Sequence, residues 1–187
     1  MTTGIIIGVI ILLAVFVVVI YNGIITRMNA VERGWANVIT QERQKNKMIP
    51  HLEQVVAQFQ VHEAGLQTQI AELRSGIAKL HSDNIDASQL EQVESKTKDL
   101  MQGLNIAVEA YPELKASEVF NNLMREIAEQ QENIGAAIRI FNQNVEDFNN
   151  GIEVFPNSLV NASLNKKSRV TPFHDSEAEA GFEYKLK

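Results

Sequence analysis

The sequence contains no cysteine. A disulfide framework, a zinc–thiolate site and a cysteine nucleophile are therefore excluded. Proline and glycine are scarce, with 4 and 10 residues in a chain of 187, and aromatics make up 6%. So little turn chemistry argues against an all-β sandwich and excludes a collagen-like chain. A hydrophobic share of 45% excludes a wholly disordered one. Basic residues are in deficit too: 17 Lys and Arg face 23 Asp and Glu, for a formal net charge of -6. Sequence-independent nucleic-acid binding needs clustered Lys and Arg, so no nucleic-acid partner is expected. The length suits one ordinary domain with little left over.

What is present is unevenly distributed. Residues 5–20 include no charged or strongly polar side chain, and Ile24 and Ile25 extend the run past Tyr21, Asn22 and Gly23. As a helix, residues 5–25 would span about 31 Å, at roughly 1.5 Å per residue. That matches the ~30 Å hydrocarbon core of a bilayer. A signal peptide would need a basic start and a small-residue cleavage site, and neither is present. The run therefore reads as an uncleaved transmembrane helix. No Lys or Arg precedes it, whereas Arg27, Arg33, Arg43, Lys45 and Lys47 follow it. By the positive-inside rule, the N-terminus is expected outside and everything after Thr26 in the cytoplasm. Residues 26–50 carry a net charge of +3, and residues 51–187 one of -9. The lipid bilayer is thus the first expected partner. Gly4 and Gly8 form a G-x-x-x-G pair that could let two membrane helices approach closely.

Beyond the membrane run, apolar residues recur at spacings of three and four. Trp35, Val38, Ile49, Leu52, Val56 and Phe59 open a seam that continues through Leu66, Ile70, Leu73, Ile77 and Leu80. A second seam contains Leu90, Val93, Leu100 and Leu104, and a third runs from Phe120 through Phe141 to Phe148. Such heptad-like spacing predicts long helices packed lengthwise. Pro50 lies within the first, where a kink near Ile49 or a full break is expected. Ser82, Asp83 and Asn84 suit a turn. Ser88 and Glu91 have the spacing of a capping box, Pro112 ends the second helix, and Ser117 caps the third. Asn150-Gly151 suits a helix stop. After Pro156 the periodicity is lost, apart from a short helical turn near residues 157–164. Phe182 and Tyr184 alternate with charges and suit an edge strand or an extended docking segment.

The predicted fold is all-α: a transmembrane helix continuing into a long antiparallel bundle of three long helices. A fourth, from a kink at Pro50 or from the tail, is left open. The expected divisions are an anchor at 1–26, a helical bundle at 27–155 and a mostly irregular tail at 156–187. As one rod, residues 26–82 would be about 85 Å long, against about 36 Å and 50 Å for the two return helices. Trp35, Val38 and Ile39 would then lie bare unless Pro50 folds the first helix back or a second subunit covers them. Exposed apolar seams mark interfaces, which favours self-association.

The order of short motifs is specific. Tyr21-Asn22 is followed by Trp35, Met48-Ile49-Pro50-His51-Leu52 and His62-Glu63. Ala110-Tyr111-Pro112-Glu113-Leu114-Lys115-Ala116 and Phe120 come next. Glu132-Asn133-Ile134, Arg139, Phe141-Asn142, Phe148-Asn149 and Phe155-Pro156 complete the set. This order resembles the LemA family of bacterial membrane proteins, with departures around Pro50 and at Phe141. The resemblance implies a single-pass protein with an outside N-terminus and a cytoplasmic helical bundle. It implies no established chemistry.

Little else in the sequence suggests catalysis. The four histidines are His51, His62, His81 and His174, with no H-E-x-x-H and no Glu-x-x-His pair. His51 and His62, with Glu63, would make at most a weak metal site. His62-Glu63 as an acid/base pair would need a desolvating pocket. No cofactor, metal or catalytic residue is therefore expected. More informative are Glu42, Lys45, Glu63, Thr97 and Gln130, polar residues at positions where the seams call for apolar ones. Such residues can fix register and partner number. Trp35, Val38, Ile39, Glu42, Lys45 and Gln130 are thus the candidate oligomer or packing interface. The expected function is that of a non-enzymatic, self-associating membrane scaffold or organiser. The alternatives are a regulatory or accessory subunit of a membrane signalling or transport/proteolysis partner, the protein partner itself being unknown, and an enzyme of unrecognised chemistry.

Overall fold

The structure, a computed structural model, describes residues 1–58 and 64–174. Among these residues it is helical and contains no strand. Helix α1 spans Thr2–Gln58, α2 Ala64–Ala78, α3 Ala87–Ala110, α4 Pro112–Ala116 and α5 Glu118–Glu153. The short α6, Asn157–Val160, passes directly into a π-helical turn, Asn161–Asn165. Phe182 and Tyr184, as well as Phe59, His62 and Glu63, lie outside the described residues. The all-α expectation is met. The described residues divide into two compact units, 1–34 with 140–172, and those within 35–139 with 173–174.

The second unit is a four-helix bundle. Side chains of α1, α2, α3 and α5 converge in its core at Leu52, Leu73, Leu100 and Ile127. Helix α2 lies antiparallel to α1: Trp35 Nε1 donates to the His81 carbonyl at 2.9 Å near one end, and Arg74 pairs with Glu53 at 2.9 Å nearer the other. Helix α3 returns along α2, and small residues bring the two close. A Cβ added at Gly76 would sit 3.2 Å from Val93 Cγ2, and one at Gly103 3.3 Å from Leu66 Cδ1. The predicted seams are the buried faces. Leu66, Ile70, Leu73 and Ile77 are each at most 2% exposed, and fully burying such a side chain contributes roughly 1.5–3 kcal/mol.

Helix α1 continues through Pro50, so the full break, one of the two outcomes expected there, does not occur. The ring lies on the exposed side, and the buried Ile49 and Leu52 hold the turns around it in the core. The missing N–H thus costs a bond on the outer face only. The chain reverses further on, between α1 and α2, and α2 is the fourth helix. For that reason Trp35, Val38 and Ile39 are not bare. They are 0%, 0% and 1% exposed within the single chain. The 85 Å rod counted as one helix what the structure packs as two side by side.

Caps differ in detail. Asp86, rather than Ser88, caps α3, its carboxylate accepting from Gln89 N at 3.1 Å and from Ser88 Oγ at 2.7 Å. Ser117 caps α5 as expected, accepting from Phe120 N at 3.3 Å. Pro112 opens the short α4 just after α3 ends.

In the first unit, α5 packs antiparallel on α1. Asn144 Nδ2 donates to the Ala30 carbonyl at 3.1 Å, and a Cβ at Gly34 would lie 3.2 Å from Phe141 Cα. Asn150-Gly151 does not stop α5, which continues to Glu153. Gly151 serves close approach instead: a Cβ there would sit 2.7 Å from Arg27 Cδ. Asparagines secure the segment after α5. Asn149 brackets Val170, accepting from its N at 2.9 Å and donating to its carbonyl at 2.8 Å. Asn161 does the same for Lys167 at 3.0 and 2.9 Å, and Asn157 donates to the Gly151 carbonyl at 2.9 Å. Towards the N-terminus, the residues of α1 from Ile5 to Phe16, with Val18 and Val19, are exposed, while Ile20 and Ile24 are buried.

Candidate functional site

Glu42 and Lys45 sit one turn apart on α1, and Thr97 faces them from α3. The bundle brings all three together in its interior. Lys45 Nζ lies 3.0 Å from Glu42 Oε2, and it donates to Glu94 Oε1 at 3.1 Å and to Thr97 Oγ1 at 2.8 Å. It also donates to Gln131 Oε1 of α5 at 3.4 Å. Gln131 Nε2 donates in turn to Glu94 Oε2, and Thr97 Oγ1 to the Val93 carbonyl at 2.9 Å. One ammonium thus ties three helices together. Gln130 does not join this network. Its Nε2 bonds to the Gln41 carbonyl at 3.0 Å and to Gln41 Oε1 at 2.9 Å, a second link between α5 and α1.

The two carboxyl groups are held in different states. The Glu42 side chain has no exposed surface. Burial pushes its carboxyl up to about 8; Lys45 opposes this, and a hydrogen bond to Glu94 together with that group's charge adds to it. Its Oε2 faces the ammonium without making a hydrogen bond. Glu94 is also desolvated, but Lys45 and hydrogen bonds from Glu42, Lys45 and Gln131 outweigh the burial and hold it below the ordinary range. At neutral pH the arrangement is therefore one ammonium, one carboxylate and one carboxylic acid. This environment can store a proton and lock helices together. Most of its polar capacity is spent internally.

Beside the network, Thr97, Met101, Ile127, Gln131, Glu132 and Arg139 line an open groove of about 560 Å³. Thr97 and Gln131 belong to both, so the groove reaches one edge of the network.

Of the other candidates read from sequence, Trp35, Val38 and Ile39 form packing contacts inside the chain. Gly4 and Gly8 are exposed, with nothing within 4 Å of an added Cβ. His51 is exposed. His62 and Glu63, which the acid/base and metal readings require, lie outside the described residues. Among the described residues, no group of three His, Asp or Glu side chains could hold a metal ion. Sequence reasoning missed Glu94 and Gln131. Glu94 stands three residues before Thr97, on the same helical face, and that spacing was the available signal.

A family model described as the LemA family matches residues 34–181. A curated relative, Protein LemA of Metamycoplasma hominis, is 25% identical over 158 residues, covering 84% of this chain and 70% of the relative.

Proposed function

We propose that this chain, which belongs to the LemA family, is a membrane-anchored helical scaffold that organises partners and does not transform a substrate. One observation carries the reading: the most chemically distinctive groups of the bundle, Lys45, Glu42 and Glu94, are spent on one another in its interior. Helix α1 is long and apolar enough near the N-terminus to cross a membrane. The flanking charges favour an outside N-terminus and a cytoplasmic bundle at the inner membrane. Display on a membrane would make weak contacts effective by avidity.

Self-association now rests on surfaces other than Trp35, Val38 and Ile39, which the chain itself covers. Among the described residues of the bundle, Ile106 and Val119 are large apolar side chains left exposed for it. The test is the mass of the full-length protein in nanodiscs, by light scattering corrected for lipid. A defined multiple of the chain mass, reduced by Ile106→Glu with Val119→Glu, supports the scaffold. A monomer indifferent to both changes overturns self-assembly.

The network favours a second reading, a regulatory or accessory subunit. Such a role needs a two-state element. A change of charge on the buried Glu42 carboxyl would supply the trigger for one. A protein partner whose affinity follows the protonation of Glu42 would support it.

A further inference from the structure

The uncovered part of α1 is short for its task. Its side chains are exposed up to Val19, apart from a half-buried Val17, and those of Ile20 and Ile24 are buried. Residues 2–19 span about 27 Å as a helix, at roughly 1.5 Å per residue, slightly less than the ~30 Å hydrocarbon core. A bilayer crossed by α1 therefore reaches the body of the first unit at the level of Ile20 to Ile24.

The segment after α5 sits at that level. Asn165 Nδ2 donates to the Tyr21 carbonyl at 3.3 Å. The segment exposes Phe155, Leu159 and Leu164, at 79%, 61% and 54%. Asn149, Asn157 and Asn161 hold its backbone, so these apolar side chains are fixed in place yet uncovered. Lys166, Lys167 and Arg169 follow, and no acid occurs from residue 154 to 174. Arg169 is paired with Glu153 at 2.8 Å, while Lys166 is exposed.

We propose that residues 155–167 form a second membrane contact, in which Phe155, Leu159 and Leu164 enter the interface and Lys166 and Lys167 meet anionic lipid headgroups. The inference rests on the reading of α1 as a membrane span. Apolar side chains beside basic ones are what an interfacial segment uses. The anionic surface of the cytoplasmic leaflet supplies the complementary charge. Continuity with the membrane helix through Tyr21 favours lipid over a second protein copy.

Because the chain lacks cysteine, one introduced thiol reports on one place. Full-length Leu164→Cys, Leu159→Cys, Val15→Cys and Ser95→Cys variants would be labelled with a polarity-sensitive fluorophore; Ser95 is exposed on α3. They would be reconstituted in phosphatidylcholine vesicles with or without phosphatidylglycerol. Labels at 159 and 164 are expected to be quenched by a headgroup-level lipid quencher and to lose their access to iodide. The label at 95 should show the reverse. Lys166→Gln with Lys167→Gln should lower lipid contact in the anionic vesicles by roughly fivefold per lysine. Iodide access at 159 and 164, with lipid quenching retained at 15, overturns this proposal alone. Shielding from both quenchers would mean that protein covers the segment, and also overturns it. Iodide access at 15 removes the membrane span, and this contact with it.

Discussion

Lys45 is the side chain on which the bundle interior turns. Its side chain is 3% exposed, and its ammonium contacts Glu42, Glu94, Thr97 and Gln131. Replacing it with Met leaves the buried Glu42 carboxyl and the half-buried Glu94 carboxylate facing each other without a cation. We expect Lys45→Met to destabilise the protein by about 3–5 kcal/mol at neutral pH, measured by denaturant unfolding in detergent. Glu42→Gln should be far milder, because that carboxyl is already protonated. The pH dependence has a definite sign. Glu42 is raised to about 8 from 4.5, so the native state binds more protons than the unfolded state between those values. Stability falls as pH rises through that window and levels off above it. Glu94 is lowered, and its contribution is lost as pH falls below the ordinary carboxylate range. Thermal melts of the wild type should weaken from pH 5 to pH 8, while Glu42→Gln flattens that limb and leaves the acid limb in place. The sequence showed Glu42, Lys45 and Thr97 because polar residues stood at seam positions. It concealed Glu94 and Gln131, each one position beyond a seam residue, where a charge or amide is unremarkable until another helix brings Lys45 within reach.

At the level of elements, the helices were legible because their apolar faces are regular. The reversal between α1 and α2 was not. The three-and-four spacing continues from Val56 and Phe59 to Leu66 without a phase change, so periodicity gives no sign that one helix ends and another begins. Proline drew attention to residue 50, where exposure of the ring and burial of its neighbours let α1 continue. Gly151 misled in the opposite way: the residue type that ends helices also lets helices touch. Gly34 has the same function where α1 meets α5, with Phe141 Cα 3.2 Å and Asn144 Nδ2 3.0 Å from an added Cβ. Gly34→Val should therefore destabilise the first unit by about 1–3 kcal/mol through overpacking. Amide exchange along residues 140–152 would detect the loosening.

For the whole molecule, the expected orientation can be checked directly. With the native chain free of cysteine, Thr2→Cys should react with a membrane-impermeant maleimide on intact spheroplasts, and a cysteine appended after Lys187 only after lysis. The reverse pattern would invert the topology read from Arg27, Arg33, Arg43, Lys45 and Lys47. The arrangement of the chain into two units was beyond the sequence, since one of them joins residues as far apart as Met1–Gly34 and Ile140–Pro172. Periodicity identifies which face of a helix is buried, not which distant segment buries it. The single tryptophan offers a way to watch one such pairing. Trp35 is fully buried, and its indole is bonded to the carbonyl of His81, 46 residues away. Its emission is therefore an intrinsic optical gauge of that closure, and separation of α1 from the turn after α2 would shift it to the red without any added dye.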